Sequence, residues 1–119
     1  MSPINIEKKF SLFSDQWSPK TVALLNDCEI KLAKFEGEFV WHSHADTDEL
    51  FLLKSGKLRI LFRDGEVSLS PGEMLVVPRG VEHKPVTDGE CEAIMISRQG
   101  EPNTGTAGGE RTAAQGVWI

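Results

Sequence analysis

Trp41-His42-Ser43-His44-Ala45-Asp46-Thr47-Asp48-Glu49-Leu50-Phe51 is the stretch from which the rest of this chain can be read. Two histidines separated by one residue, with a glutamate five positions further on, form a compact set of metal-type donors. On a helix, residues i and i+2 diverge, whereas on a strand they share a face. The flanks Phe39-Val40-Trp41 and Leu50-Phe51-Leu52-Leu53 are apolar, aromatic and β-branched, which favours a strand. His42 and His44 on a strand project in parallel, their backbones roughly 7 Å apart. Both imidazoles then reach one ion at about 2.1 Å each.

Outward from this stretch the texture is short strand-like runs broken by turn residues. Thr21-Val22-Ala23-Leu24-Leu25 is one run, Asn26-Asp27 a tight turn, and Cys28-Glu29-Ile30-Lys31-Leu32 a half-buried alternation. Glu36-Gly37-Glu38 reads as a break before the histidine strand. Beyond Glu49 to Leu53, Lys54-Ser55-Gly56 turns the chain, and Leu58, Ile60 and Phe62 share a face. Asp64-Gly65 signals a hairpin, with Val67-Ser68-Leu69 as its return. Met74-Leu75-Val76-Val77 lies between Pro71-Gly72 and Pro78-Arg79-Gly80. Asp88-Gly89 is expected to separate an extended His83-Lys84-Pro85-Val86 from a last strand, Cys91 to Ile96. About eight short strands at regular spacing predict an all-β sandwich or barrel.

Residues 1–16 read as an N-terminal arm, 17–98 as the barrel, and 99–119 as a Gly-rich tail. In the arm, Lys8 to Asp15 suits one helical turn or an edge strand. The tail ends Val117-Trp118-Ile119, and Trp118 is expected to dock back on the barrel or on a second subunit.

Composition excludes several classes. At 119 residues the chain forms one domain able to bury its own core, and 26% charged with 39% hydrophobic residues is globular composition. The net charge of -5, with Lys and Arg scattered, argues against nucleic-acid binding. Apolar runs are far too short for a membrane helix, and the N-terminus lacks signal-peptide features, so a cytoplasmic location is expected. Cys28 and Cys91 lie in apolar strand patterns without CxxC spacing, and read as packing residues rather than a bridge.

His83 completes the chemistry. The first set runs His42, Ser43, His44, four residues, Glu49, six residues, Gly56. The second runs Gly72, five residues, Pro78, Arg79, Gly80, two residues, His83. This pair of motifs closely resembles the two motifs of the cupin family, over residues 37 to about 87. The resemblance implies a small single-domain RmlC-like cupin: a double-stranded β-helix, or jelly-roll barrel. It also implies that His42, His44, Glu49 and His83 hold a divalent transition metal. Nitrogen and oxygen donors together suit Zn, Mn, Fe, Ni, Co or Cu rather than Ca or Mg. Two positions depart from the family pattern. Four rather than five residues separate Gly37 from His42, and Thr87 occupies the place of the motif-ending asparagine.

Strand parity places Phe51 and Leu53 inward with the donors, and Leu50 and Leu52 outward. The outward leucines need cover, and the resemblance implies a homodimer through such a sheet face. Asp46 and Asp48 read as solvated loop carboxylates, Trp41 as packing, and Arg79 and Glu82 as weaker candidates for substrate contact. The chain contains no tyrosine, so proton transfer would have to use Glu49, another carboxylate or a metal-bound water, with Glu49 the catalytic candidate. The expected function is a metal-dependent isomerase, lyase or dioxygenase acting on a small sugar-like or oxygenated molecule. A non-catalytic small-molecule binding or sensing module is the alternative. No helix-turn-helix segment is legible beside the barrel, which weighs against a regulator.

Overall fold

The computed structural model describes residues 1–119 throughout. A short helix, α1 (Ile6–Phe10), precedes seven strands: β1 (Lys20–Leu25), β2 (Cys28–Glu38), β3 (Glu49–Ser55), β4 (Leu58–Phe62), β5 (Gly65–Leu69), β6 (Met74–Val77) and β7 (His83–Arg98). Asn5 caps α1, its side-chain oxygen accepting from the Lys8 N–H at 2.9 Å. No helix is long and apolar enough to cross a membrane.

β7 is the spine. Its first half pairs with β4, from Phe62 opposite His83 to Leu58 opposite Thr87. Its second half pairs with β3, from Ser55 opposite Glu92 to Leu50 opposite Ile96. Along its other edge β2 runs the whole way, from Glu38 opposite Val86 to Cys28 opposite Arg98. One strand thus passes from one wall of the barrel to the other, and all named strand pairs are antiparallel. β1 and β6 extend the wall that holds β2 and β3, and β5 the wall that holds β4, an arrangement that is the jelly roll expected.

Three local expectations need correction. Asp88-Gly89 does not end a strand: β7 continues through it, because ladders on both flanks outweigh the turn preference of two residues. Glu36-Gly37-Glu38 is not a free turn but the paired end of β2, which stops at Glu38. The register shifts there, with Asp88-Gly89-Glu90 of β7 opposite Glu36 alone and Gly37 at φ 84°. The histidine segment is extended yet hardly a strand, since His42 alone pairs, in a single bridge to His83.

Inside the barrel lies one cluster that includes Phe35, Phe51, Leu53, Leu58, Ile60 and Met95. Phe51 and Leu53 are each 1% exposed, as parity requires, while Leu50 and Leu52 are half-buried on the outer face. Burying each such side chain contributes about 1.5–3 kcal/mol, so a handful of these residues carries much of the fold. Trp17 closes one end, stacked on Phe35 at 4.5 Å and Phe39 at 4.8 Å between ring centroids. A smaller cluster of Phe10, Val22 and Leu32, with Ile119 against it, fixes α1 and the chain end to the outer face. There Thr21 N–H donates to the Val117 carbonyl at 2.7 Å, and Ile119 N–H to Thr21 at 3.2 Å. Trp118, between them, is 54% exposed.

Candidate metal centre

Two turns and one strand start deliver the four donors. His42 and His83 exchange both backbone hydrogen bonds, at 3.0 and 2.9 Å, which sets their rings 4.3 Å apart. The His44 carbonyl accepts from Gly80 N–H at 2.8 Å, tying the first motif to the Pro78-Arg79-Gly80 corner of the second. Between His44 and Glu49 the chain must turn back. Thr47 holds that loop by accepting from Arg98 N–H at 3.1 Å, and Asp48 by accepting from Arg79 N–H at 2.9 Å. Glu49 then opens β3 with its carboxylate facing inward, opposite Val77.

The result is a buried group in which one donor atom each from His42, His44, Glu49 and His83 lies within 4.8 Å of the others. Donors about 2.1 Å from a common ion lie at most about 4.2 Å apart, so contraction by roughly half an ångström would seat one. The hydrogen-bond pattern selects the atoms. His42 Nδ1 lies 2.8 Å from the Val40 carbonyl and His83 Nδ1 2.9 Å from that of Val81. A carbonyl only accepts, so both Nδ1 atoms carry the proton and both Nε2 atoms present a lone pair. His44 Nε2, Glu49 Oε1 and His83 Nε2 are buried and have no hydrogen-bond partner. Glu49 Oε1 stands 3.4 Å from His44 Nε2 and 3.5 Å from His83 Nε2. Neither distance is that of a well-formed hydrogen bond, and the His83 nitrogen has no proton to offer, so a cation is what would satisfy these atoms together. Orphaned buried donors of this kind are costly unless something binds them. Three imidazole nitrogens and one carboxylate oxygen are a donor set that fits a first-row transition ion.

Electrostatics follow from burial and crowding. Burial, and then the neighbouring His83, push the His42 imidazole down to about 4, so it is neutral at physiological pH. Burial acts to raise the Glu49 carboxyl and to lower His44. Their mutual contact wins in both cases, holding Glu49 well below the usual carboxylate range and raising His44.

Beside the donors lies a cavity of about 20 Å³, space for a guest of water size. Phe35, Phe39 and Phe51 line it, with His42 and Glu49 on one side and Asn103 from the tail on another. The weaker sequence candidates stand elsewhere. Asp48 pairs with Arg79 at 3.4 Å and Glu82 with Arg63 at 3.2 Å, all four more than half exposed, and Asp46 is exposed. Trp41 lies under the Arg63 guanidinium at 3.8 Å rather than in the core. The two departures from the family pattern meet each other: Gly37 N–H donates to Thr87 Oγ1 at 3.0 Å. Trp17 and Asn103 carry no sequence signal as site residues, since no spacing rule links them to the motifs.

A jelly roll that gathers three histidines and a glutamate at the meeting of two such motifs defines a cupin. The chain belongs to the cupin family: residues 29–97 match the Cupin_2 model, described as a cupin domain. A solved cupin-2 domain containing protein from Shewanella frigidimarina NCIMB 400 is 53% identical, with a TM-score of 0.79, over 81% of this chain and 94% of that one. YdbB of Bacillus subtilis (strain 168), an uncharacterized protein, is 40% identical over 65 residues, 54% of this chain and 58% of its own length. Homogentisate 1,2-dioxygenase of Bradyrhizobium diazoefficiens is 39% identical over 58 residues, 48% of this chain and only 13% of that enzyme. The chain therefore spans a little over half of one curated relative and a small part of the other.

Proposed function

We propose that this cupin is a metal-dependent enzyme acting on a small oxygenated molecule at the centre formed by His42, His44, Glu49 and His83. One observation carries the reading: four buried donors converge within 4.8 Å, and three of their atoms have no partner in the protein. A divalent transition metal held there would act as a Lewis acid, polarising a substrate oxygen. His42, His44 and His83 would supply nitrogen donors and Glu49 the negative charge, and Glu49 is the carboxylate we assign to proton transfer. The small aromatic-walled cavity admits only a small group, which suits the end of a compact substrate rather than a polymer. Likeness to part of a dioxygenase supports oxygen chemistry as the first class to assay.

One feature favours a second reading, that of a binding or sensing module. Apart from His42 and Glu49, the only polar side chain lining the cavity is Asn103, whose amide nitrogen donates to the Trp17 and Arg111 carbonyls. The outer sheet face, with half-buried Leu50 and Leu52 beside exposed Met74 and Val76, is the surface through which a homodimer would form. Elemental analysis of the purified protein, followed by turnover assays on ligands that raise its melting temperature, separates the readings. Bound iron with turnover supports the enzyme, and stabilising ligands without turnover support the module. Metal-free protein with no uptake on titration sinks both.

A further inference from the structure

The three histidines are not equally supported. His42 and His83 each place Nδ1–H on a carbonyl two residues back. His44 has no such carbonyl: its Nδ1 is buried without a hydrogen-bond partner, in a residue only 3% exposed. What faces this atom comes from the far end of the chain. Gly105 passes so close that a Cβ there would sit 3.1 Å from Nδ1 and collide with the Ser43 carbonyl. Thr106 N–H donates to that carbonyl at 2.9 Å. Glu101 Oε1 stands 3.9 Å from Nδ1, the one acidic oxygen within salt-bridge reach of it, on a side chain 18% exposed.

The segment carrying Glu101 is built in rather than draped. Asn103 donates to the Trp17 carbonyl at 2.9 Å and accepts from Ala113 N–H at 2.8 Å. Thr104 is 0% exposed and shares a hydrogen bond with Thr112. Glu101 lies outside the 29–97 stretch that the family model matches.

We infer that Glu101 is a positioning residue for the metal centre: it takes the Nδ1–H of His44 and so presents that ring's Nε2 to the ion. The inference rests on the metal-centre reading above. At 3.9 Å the contact must close by about 1 Å to become a hydrogen bond. A carboxylate acceptor makes the stronger, charge-assisted kind, and raises the basicity of the ligand it orients. The backbone serves His42 and His83 in this way, and the tail serves His44.

The test compares full-length wild type with Glu101→Ala and Glu101→Gln. Two quantities are read: Co(II) affinity by chelator competition and the melting temperature of the metal-free protein. Glu101→Ala should weaken Co(II) binding about 10- to 100-fold. Glu101→Gln, whose amide oxygen still accepts, should stay within about threefold of wild type. Alanine binding as tightly as wild type overturns the role of Glu101 while leaving the centre intact. Equal losses in both variants, with matching drops in metal-free melting temperature, reduce Glu101 to a tail anchor and also overturn it. Wild type that takes up no Co(II) sinks the centre and this inference together.

Discussion

His42 and His83, one from each motif, face each other as an antiparallel bridge with both backbone hydrogen bonds made, at 3.0 and 2.9 Å. The contact is made by the main chain, so it survives replacement of either ring. His83→Ala should therefore keep the barrel while removing a donor. The expected loss in metal affinity exceeds the roughly 100-fold that a supporting residue costs, with the far-UV circular dichroism unchanged. Full metal content in the purified His83→Ala protein would show that this histidine is not a ligand.

Metal loading should stabilise the fold, because the unpartnered donors cluster only in the native state. At a hundredfold excess over Kd the gain is about 2.7 kcal/mol. For a domain of this size that corresponds to a rise in Tm on the order of 10 °C. Differential scanning calorimetry with Zn(II), Mn(II) or Fe(II), then with excess chelator, checks both directions. A Tm indifferent to every ion would contradict the centre.

Much of this molecule could be read before its structure was seen, for physical reasons. Period-two alternation in β3 and β4 is imposed by a dry interior, so Phe51, Leu53, Leu58 and Ile60 announced themselves. Donor spacing announced the metal site, since a turn between His44 and Glu49 returns the carboxylate only over a short span. Asp88-Gly89 misled because turn chemistry is local, whereas the ladders flanking β7 join residues far apart in sequence. Glu101, Asn103 and Gly105 stay hidden because a single long-range side-chain contact, a backbone partner and a close approach leave no period in the sequence.

Gly56 shows what close approach demands. It sits at φ 83°, and a Cβ there would lie 2.6 Å from Cys91 Cβ and 2.8 Å from the Glu90 carbonyl. Neither atom is the end of a flexible side chain. Gly56→Ala must bear both left-handed strain and a clash between β7 and the β3–β4 turn, together about 2–4 kcal/mol. Urea unfolding should show a lower midpoint at unchanged slope. A variant within about 0.5 kcal/mol of wild type would mean that the turn can move off β7.

The two cysteines should differ in reactivity. Burial, then Glu90 and Glu92, push the Cys91 thiol up to about 12, and Cys91 is 0% exposed, whereas Cys28 is half-buried. A thiol reagent at pH 8 should label Cys28 slowly and Cys91 only after unfolding. The linkage has a definite sign. Between the ordinary value of 9.0 and about 12 the unfolded chain releases the Cys91 proton and the native chain keeps it. Stability contributed by this group therefore falls as pH rises through that window. Cys91→Ala should be less stable overall, through lost packing, yet show a shallower decline with alkali. Identical slopes would remove the assignment.

The outer sheet face yields the last prediction. Register places Ile96, Leu50 and Val76 in one cross-strand row and Ile94, Leu52 and Met74 in the next. α1 and Ile119 pack against Ile94 and the β1–β2 side, while Met74 and Val76 remain 60% and 47% exposed at the β6 edge. A two-fold contact would cover both rows with their own copies, an isologous arrangement needing no other partner. Light scattering at micromolar concentration should then give twice the 13.2 kDa chain mass. Met74→Lys with Val76→Glu should yield monomers with an unaltered fold, because both side chains already point to solvent. A wild-type mass of one chain under those conditions would remove the dimer and leave the metal centre untouched.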